Sequence, residues 1–201
     1  MIGTCNQILL DLGSRSAKIY FRGNRVIEQT QVTWDLLEDG HAEEKVYKTL
    51  KSLIGSYINK YPISAIGTEA MRRSPDLAEK IAKICNSFGI CYRTLSQTEE
   101  AQLILNAVDL EGEGDIINVG GGSIQIVSSP VVRLSLLNFG VSDLNRAFSL
   151  NEPPKARRIN ECISWIQVRL PSMAGSFIYT GGEETFLRHM GIAIRNSFCL
   201  R

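Results

Sequence analysis

Two short stretches of this chain carry the residue types that a phosphate chain needs. In Asp11-Leu12-Gly13-Ser14-Arg15-Ser16 an apolar strand ends in a carboxylate, then a glycine, then hydroxyl residues. In such a turn backbone N–H groups and the hydroxyls of Ser14 and Ser16 converge on phosphate oxygens, beside a carboxylate that attracts a metal. In Asn118-Val119-Gly120-Gly121-Gly122-Ser123 three successive glycines remove every Cβ from the turn. The backbone there is free to approach a polyanion closely, and Ser123 supplies the hydroxyl. A single Asp-x-Gly-Ser turn reads most simply as a hairpin. Two in corresponding places say more: Ile8 to Gly13 parallels Ile116 to Gly120, each followed by another strand, which is a weak internal duplication. Two lobes that face each other would open both turns into one cleft and grip a phosphate chain from two sides.

The elements that must position these turns follow from periodicity. Strands are expected at 7–11, 16–21 and 25–32, joined by turns at Gly13-Ser14 and Gly23-Asn24. Val46, Leu50, Leu53, Ile54 and Tyr57 recur at helical spacing within 42–59, and Pro62 ends that region ahead of a strand over 63–67. A helix over 75–88 turns through Gly89 into a strand over 90–95. Ser96-Gln97-Thr98-Glu99 has the form of a capping box, with Glu99 reaching back and Glu100 left to face another direction. Glu111-Gly112-Glu113-Gly114 reads as the lobe boundary, giving an N-terminal lobe over 1–112 and a C-terminal lobe over 113–201. The order then restarts with strands over 115–119, 123–128 and 131–137. Helices over 142–148 and 153–170, a strand over 177–180 and a helix over 183–189 complete it.

Composition narrows the class. With 44% hydrophobic and 21% charged residues, the 201-residue chain can bury a real core. Its apolar runs are strand-length, far short of the roughly 20 residues that cross a bilayer. The start lacks a basic-then-apolar leader, so a cytoplasmic protein with reduced cysteines is expected. Five cysteines and two histidines show no zinc spacing, and a net charge of +1 creates no field for DNA or an anionic membrane.

Six motifs in order resemble the exopolyphosphatase/guanosine-pentaphosphate phosphohydrolase family, within the superfold shared by actin, sugar kinases and heat-shock ATPases. They are 11–16, Gly67-Thr68-Glu69-Ala70-Met71-Arg72, Ser96-Gln97-Thr98-Glu99-Glu100-Ala101, 118–123, Phe139-Gly140-Val141 and Thr180-Gly181-Gly182. The resemblance implies an α/β fold of two ribonuclease-H-like lobes, the second shortened because the chain stops soon after the Thr-Gly-Gly motif. It implies phosphate contacts from Gly13, Ser14, Ser16, Arg72, Gly120, Gly121, Gly122 and Ser123, and a nucleoside or distal phosphate at Gly181 and Gly182. Asp11 and Asn118 would sit at a Mg²⁺ or Mn²⁺ site, and Glu100 would direct the attacking water. The ligand would be polyphosphate or a guanosine or adenosine polyphosphate, and a homodimer would cover apolar surface on the shortened lobe.

The chain departs from that pattern at two carboxylates. Asn118 stands where the family usually has Asp, and Gln125 where it has Glu; Gln102 replaces a usual arginine. Mg²⁺ prefers anionic oxygens, so two amides should weaken its binding. Three functions therefore compete: a phosphohydrolase acting on a phosphoanhydride, a non-catalytic phosphate or nucleotide sensor that keeps the loops, and, behind these because no sugar-type acceptor motif is visible, a small-molecule kinase on the same superfold.

Overall fold

The computed structural model describes residues 7–13, 16–21, 25–31, 42–108, 114–128, 133–150, 153–173 and 177–181. The chain divides into two compact units, Met1–Ser96 and Gln97–Arg201.

In the first unit β1 (Ile8–Leu12), β2 (Ser16–Phe21), β3 (Arg25–Gln31), β4 (Ile63–Gly67) and β5 (Cys91–Thr94) form one sheet in the order β3-β2-β1-β4-β5. β1 and β2 are antiparallel, while β4 runs parallel to β1, as the intervening helix α1 (Ala42–Ile54) requires. Along β1 the pleat sends Ile8, Leu10 and Leu12 into the core with Ala17, Ile19, Ile63 and Ala65. Asp11 is thereby set on the opposite face. Helices α1 and α3 (Pro75–Ser87) complete the core through Val46, Leu50, Leu53 and Ile54, and through Leu77, Ile81, Ile84 and Cys85. The α3 start is capped by Ser74, whose Oγ accepts from the Leu77 amide at 3.3 Å. Its end turns through Gly89 at φ +69, as the glycine predicts. The α1 helix stops at Ile54, before residue 59, because Gly55 follows and the Tyr57 amide bonds the Ile54 carbonyl in a tighter turn. A further five-residue helix, α2 (Glu69–Arg73), occupies a stretch for which periodicity predicts nothing.

In the second unit β6 (Asp115–Val119), β7 (Ile124–Ser128), β8 (Arg133–Leu137) and β9 (Phe177–Gly181) form a sheet in the order β8-β7-β6-β9. The pairing repeats that of the first unit: β6 and β7 antiparallel, β9 parallel to β6. Helix α4 (Gln97–Ala107) lies against β7 and β8, with Ala101 buried among Ile116 and Val127. Helices α5 (Val141–Phe148) and α6 (Ala156–Gln167) meet through Phe148 and Trp165, with ring centroids 5.9 Å apart. Phe139 stacks edge-on against the same indole at 4.8 Å.

The division after Ser96 differs from the boundary expected at 112/113, and α4 is the reason. The Leu95 amide donates to the Gly67 carbonyl at 2.8 Å and the Leu95 carbonyl accepts from Arg72, which ties Leu95 to the first unit. Gln97 Nε2 donates to the carbonyls of Ile124 at 3.3 Å and Leu137 at 3.2 Å, which ties α4 to the second. The expected turn at 23–24 and helix over 183–189 lie outside the described residues. No helix among the described residues is long and apolar enough to cross a membrane.

Candidate functional site

The two glycine turns are closed by the same backbone hydrogen bond. Gly13 N donates to Ser16 O at 2.9 Å, and Gly120 N donates to Ser123 O at 2.9 Å. Each closes the turn between a strand that enters and an antiparallel strand that leaves, so the duplication seen in the sequence is a structural one. It extends to side chains: Asp11 faces Lys18 across β1 and β2, and Asn118 faces Gln125 across β6 and β7. Both pairs lie two residues before and five residues after the first glycine.

The Gly120–Ser123 turn is shaped by a residue outside it. Val141 N donates to Gly120 O at 3.1 Å and Ser142 N to Gly121 O at 2.7 Å, so the first amides of α5 hold two loop carbonyls. Gly140 precedes them, and a Cβ there would overlap the Gly120 carbonyl oxygen and the Gly122 nitrogen. Asp143 Oδ2 accepts from the Gly140 amide at 3.0 Å and fixes the helix start. The turn's carbonyls are thus held by α5, which suits a turn that presents amides to an anion.

Beside this turn runs a row of polar side chains across the sheet. Thr180 Oγ1 donates to Asn118 Oδ1 at 3.1 Å, and Asn118 Nδ2 donates to Gln125 Oε1 at 2.6 Å. Gln125 Nε2 then donates to Glu100 Oε2 at 3.2 Å and to Ser123 Oγ at 3.1 Å. Gln125 is 1% exposed. Its amide uses both N–H groups and its carbonyl, which is how so polar a side chain is buried. One amide therefore holds both Glu100, the expected water-directing carboxylate, and Ser123, the expected phosphate hydroxyl.

The corresponding row of the first unit is built differently. The neighbour of Asp11 on β4 is Ile66, where Asn118 has Thr180 on β9. Among the described residues Asp11 Oδ1 is buried without a hydrogen-bond partner. Burial pushes the Asp11 carboxyl above its ordinary range, partly offset by the positive charge of Lys18. An orphaned carboxylate oxygen of this kind suits a cation or a ligand donor.

Other expected residues are placed as follows. Ser16 is the half-buried first residue of β2, and its carbonyl closes the Gly13 turn. Arg72 is half-buried and gives Nη1 to the Leu95 carbonyl at 3.0 Å, so part of its guanidinium supports the chain ahead of α4. Gly181 has φ +136, and a Cβ there would strike the Val119 carbonyl oxygen; the backbone alone requires glycine. Ser14 and Gly182 lie outside the described residues. Thr180 and Gly140 are the residues that sequence reasoning left out of the site. For Thr180 the signal was its place opposite Asn118, which needs the strand register.

The implied divalent metal fits the two units unequally. Asp11 offers a carboxylate oxygen without a partner among the described residues. Asn118 and Gln125 offer no charge, and their amides are engaged with each other and with Thr180, Ser123 and Glu100. That row does not fit a divalent cation. Among the described residues no group of three or more His, Cys, Asp or Glu side chains is placed to share one.

The two sheets, in each of which a glycine turn joins an antiparallel pair flanked by a parallel strand, define an actin-like ATPase fold. The model of the Ppx/GppA phosphatase family matches residues 38–200, and the chain belongs to that family. Solved structures agree on the fold. The Ppx-GppA enzyme of Aquifex aeolicus is 19% identical with a TM-score of 0.64, covering 92% of this chain and 71% of that one. An exopolyphosphatase-like protein is 18% identical with a TM-score of 0.70, covering 92% and 70%. An exopolyphosphatase from Cytophaga hutchinsonii is 16% identical with a TM-score of 0.62, covering 94% and 72%. No curated protein sequence matches this chain.

Proposed function

We propose that this chain removes a terminal phosphate from a phosphoanhydride, either polyphosphate or a guanosine or adenosine polyphosphate. The observation that carries the reading is Glu100, whose carboxylate is held by the same buried Gln125 amide that holds Ser123 at the glycine turn. The turn's amides would take the charge of the terminal phosphate, as catalysis of phosphoryl transfer rests on positioning and electrostatics. Glu100 would accept a proton from water as its oxygen bonds to phosphorus. The bridging P–O bond breaks, and its electron pair leaves on the shortened chain. The test is phosphate release from polyphosphate, guanosine pentaphosphate and ATP by the wild type and Glu100→Gln. Release that the substitution lowers at least about a hundredfold, with binding kept, supports the reading; equal release by both would end it.

A second reading, a sensor that binds the same ligands without turnover, is favoured by the Asn118–Gln125 bond. Two amides there leave the turn intact and remove charges that would hold a metal. It expects ligand-induced stabilisation with no phosphate released.

A further inference from the structure

We propose that the Thr180–Asn118–Gln125 row takes the place of a divalent cation in the second unit, so that Glu100 and the glycine turn are organised without metal. The argument is one of donors and acceptors. Acids at positions 118 and 125 would face each other across β6 and β7, with Glu100 as a third beside them. Three carboxylates in a row repel unless a cation bridges them. In this chain every link is instead a donor meeting an acceptor, and all links run one way, from the Thr180 hydroxyl through both amides to Glu100 Oε2.

Directionality fixes what each group does. The Glu100 carboxylate only accepts, so it sets Gln125 with its NH₂ toward Glu100 and Ser123 and its oxygen toward β6. Gln125 then sets Asn118 with its NH₂ toward β7 and its oxygen toward β9, where the Thr180 hydroxyl, which can also reach the Ile117 carbonyl, donates to it. Reversing any one amide would set donor against donor or acceptor against acceptor. The row is therefore a positioning device with one stable sense, and Glu100 is held as an acceptor at its end. Burial of Gln125 adds to this, since no water competes for its amide. The first unit shows the contrast: among the described residues Asp11 Oδ1 has no partner, and Ile66 stands where Thr180 would be.

Metal uptake is read without any phosphate ligand, so failure of this inference and failure of the hydrolase reading show separately. The full chain is melted in EDTA and in millimolar Mg²⁺, and Mn²⁺ uptake is followed by paramagnetic resonance. The double variant Asn118→Asp, Gln125→Glu should melt lower than the wild type in EDTA, recover in Mg²⁺, and take up Mn²⁺ at least about tenfold more tightly than the wild type. A wild type that gains as much from Mg²⁺ as the double variant overturns the proposal. Should the double variant not fold, wild type and Asn118→Leu decide it. Absent uptake, or uptake equal in both, supports the proposal; wild-type uptake that Asn118→Leu abolishes overturns it.

Discussion

Gly140 lies so close against Gly120 that a Cβ on Gly140 would overlap the Gly120 carbonyl oxygen. The contact matters because the α5 amides that follow Gly140 hold the carbonyls of Gly120 and Gly121. Gly140→Ala has no flexible side chain to push aside, only the backbone of the turn. It should cost about 1–3 kcal/mol of stability, as overpacking does, and weaken phosphate binding more than it lowers the melting temperature. Calorimetric titration with tripolyphosphate beside a thermal melt checks both; unchanged binding would mean the turn does not hold the ligand.

Thr180→Val keeps shape and removes one hydroxyl. The oxygen of Asn118 then loses its donor at the far end of the row. A stability loss of about 1 kcal/mol is expected, with phosphate release lowered although Thr180 is three hydrogen bonds from Glu100. Thr180→Ser should restore both, and a failure of that rescue would point to packing by the methyl group instead.

The order and type of most elements are legible in the sequence because the strands alternate and the helices repeat cleanly. The spans 16–21, 63–67 and 115–119 coincide with β2, β4 and β6. The lobe boundary is not legible. The Gly and Glu run at 111–114 looks like a linker, while the grouping of α4 with the second unit depends on where the Gln97 side chain finds its carbonyls. The site divides in the same way. Gly13 and Gly120 to Ser123 are read from residue type and spacing, and Glu100 follows from the family motif. The bond from Gln125 to Glu100 joins residues 25 apart and exists only once α4 packs on β7, so no local signal could show it.

Asp11 sets a pH dependence. Its folded carboxyl is raised above the ordinary value by burial, so the folded state keeps a proton to higher pH than the unfolded chain does. Stability from this group is therefore full below the ordinary carboxylate range, near pH 4, and is lost as pH rises through the folded value. Asp11→Asn does not titrate. It should melt higher than wild type near neutral pH, with the difference closing in acid, while losing phosphate or metal affinity on the first turn. Parallel melts across that pH range decide it; a difference independent of pH would remove the assignment.

Thiol chemistry gives an independent check on the core of each unit. Burial pushes the Cys85 thiol to about 12 and raises that of Cys162, whereas Cys91 is exposed on β5. A thiol that stays protonated and covered does not react. Peptide mapping after mild alkylation should find Cys91 modified and Cys85 and Cys162 protected until the chain is unfolded. Early modification of Cys85 would show that α3 does not pack as described.

The last prediction concerns turnover by the double variant Asn118→Asp, Gln125→Glu. In the wild type Glu100 is held by an uncharged row, so any Mg²⁺ dependence of phosphate release should come from Asp11 and vanish in Asp11→Asn. The two substitutions replace donors with charges. Without metal, the new acid at position 125 faces Glu100 across the distance now spanned by a hydrogen bond of 3.2 Å, and Glu100 loses its donor. Release should fall below wild type in EDTA. With Mg²⁺ the three acids gain a common counter-charge, and the ion supplies Lewis-acid stabilisation to the phosphate that the amides do not. Release should then rise above wild type, each tenfold gain needing only about 1.4 kcal/mol of transition-state stabilisation. The signature is a crossing: variant slower than wild type without metal, faster with it. If metal dependence instead survives Asp11→Asn and the double variant is no better, Asn118 and Gln125 serve the metal chemistry as amides, and the row has no claim to replace it.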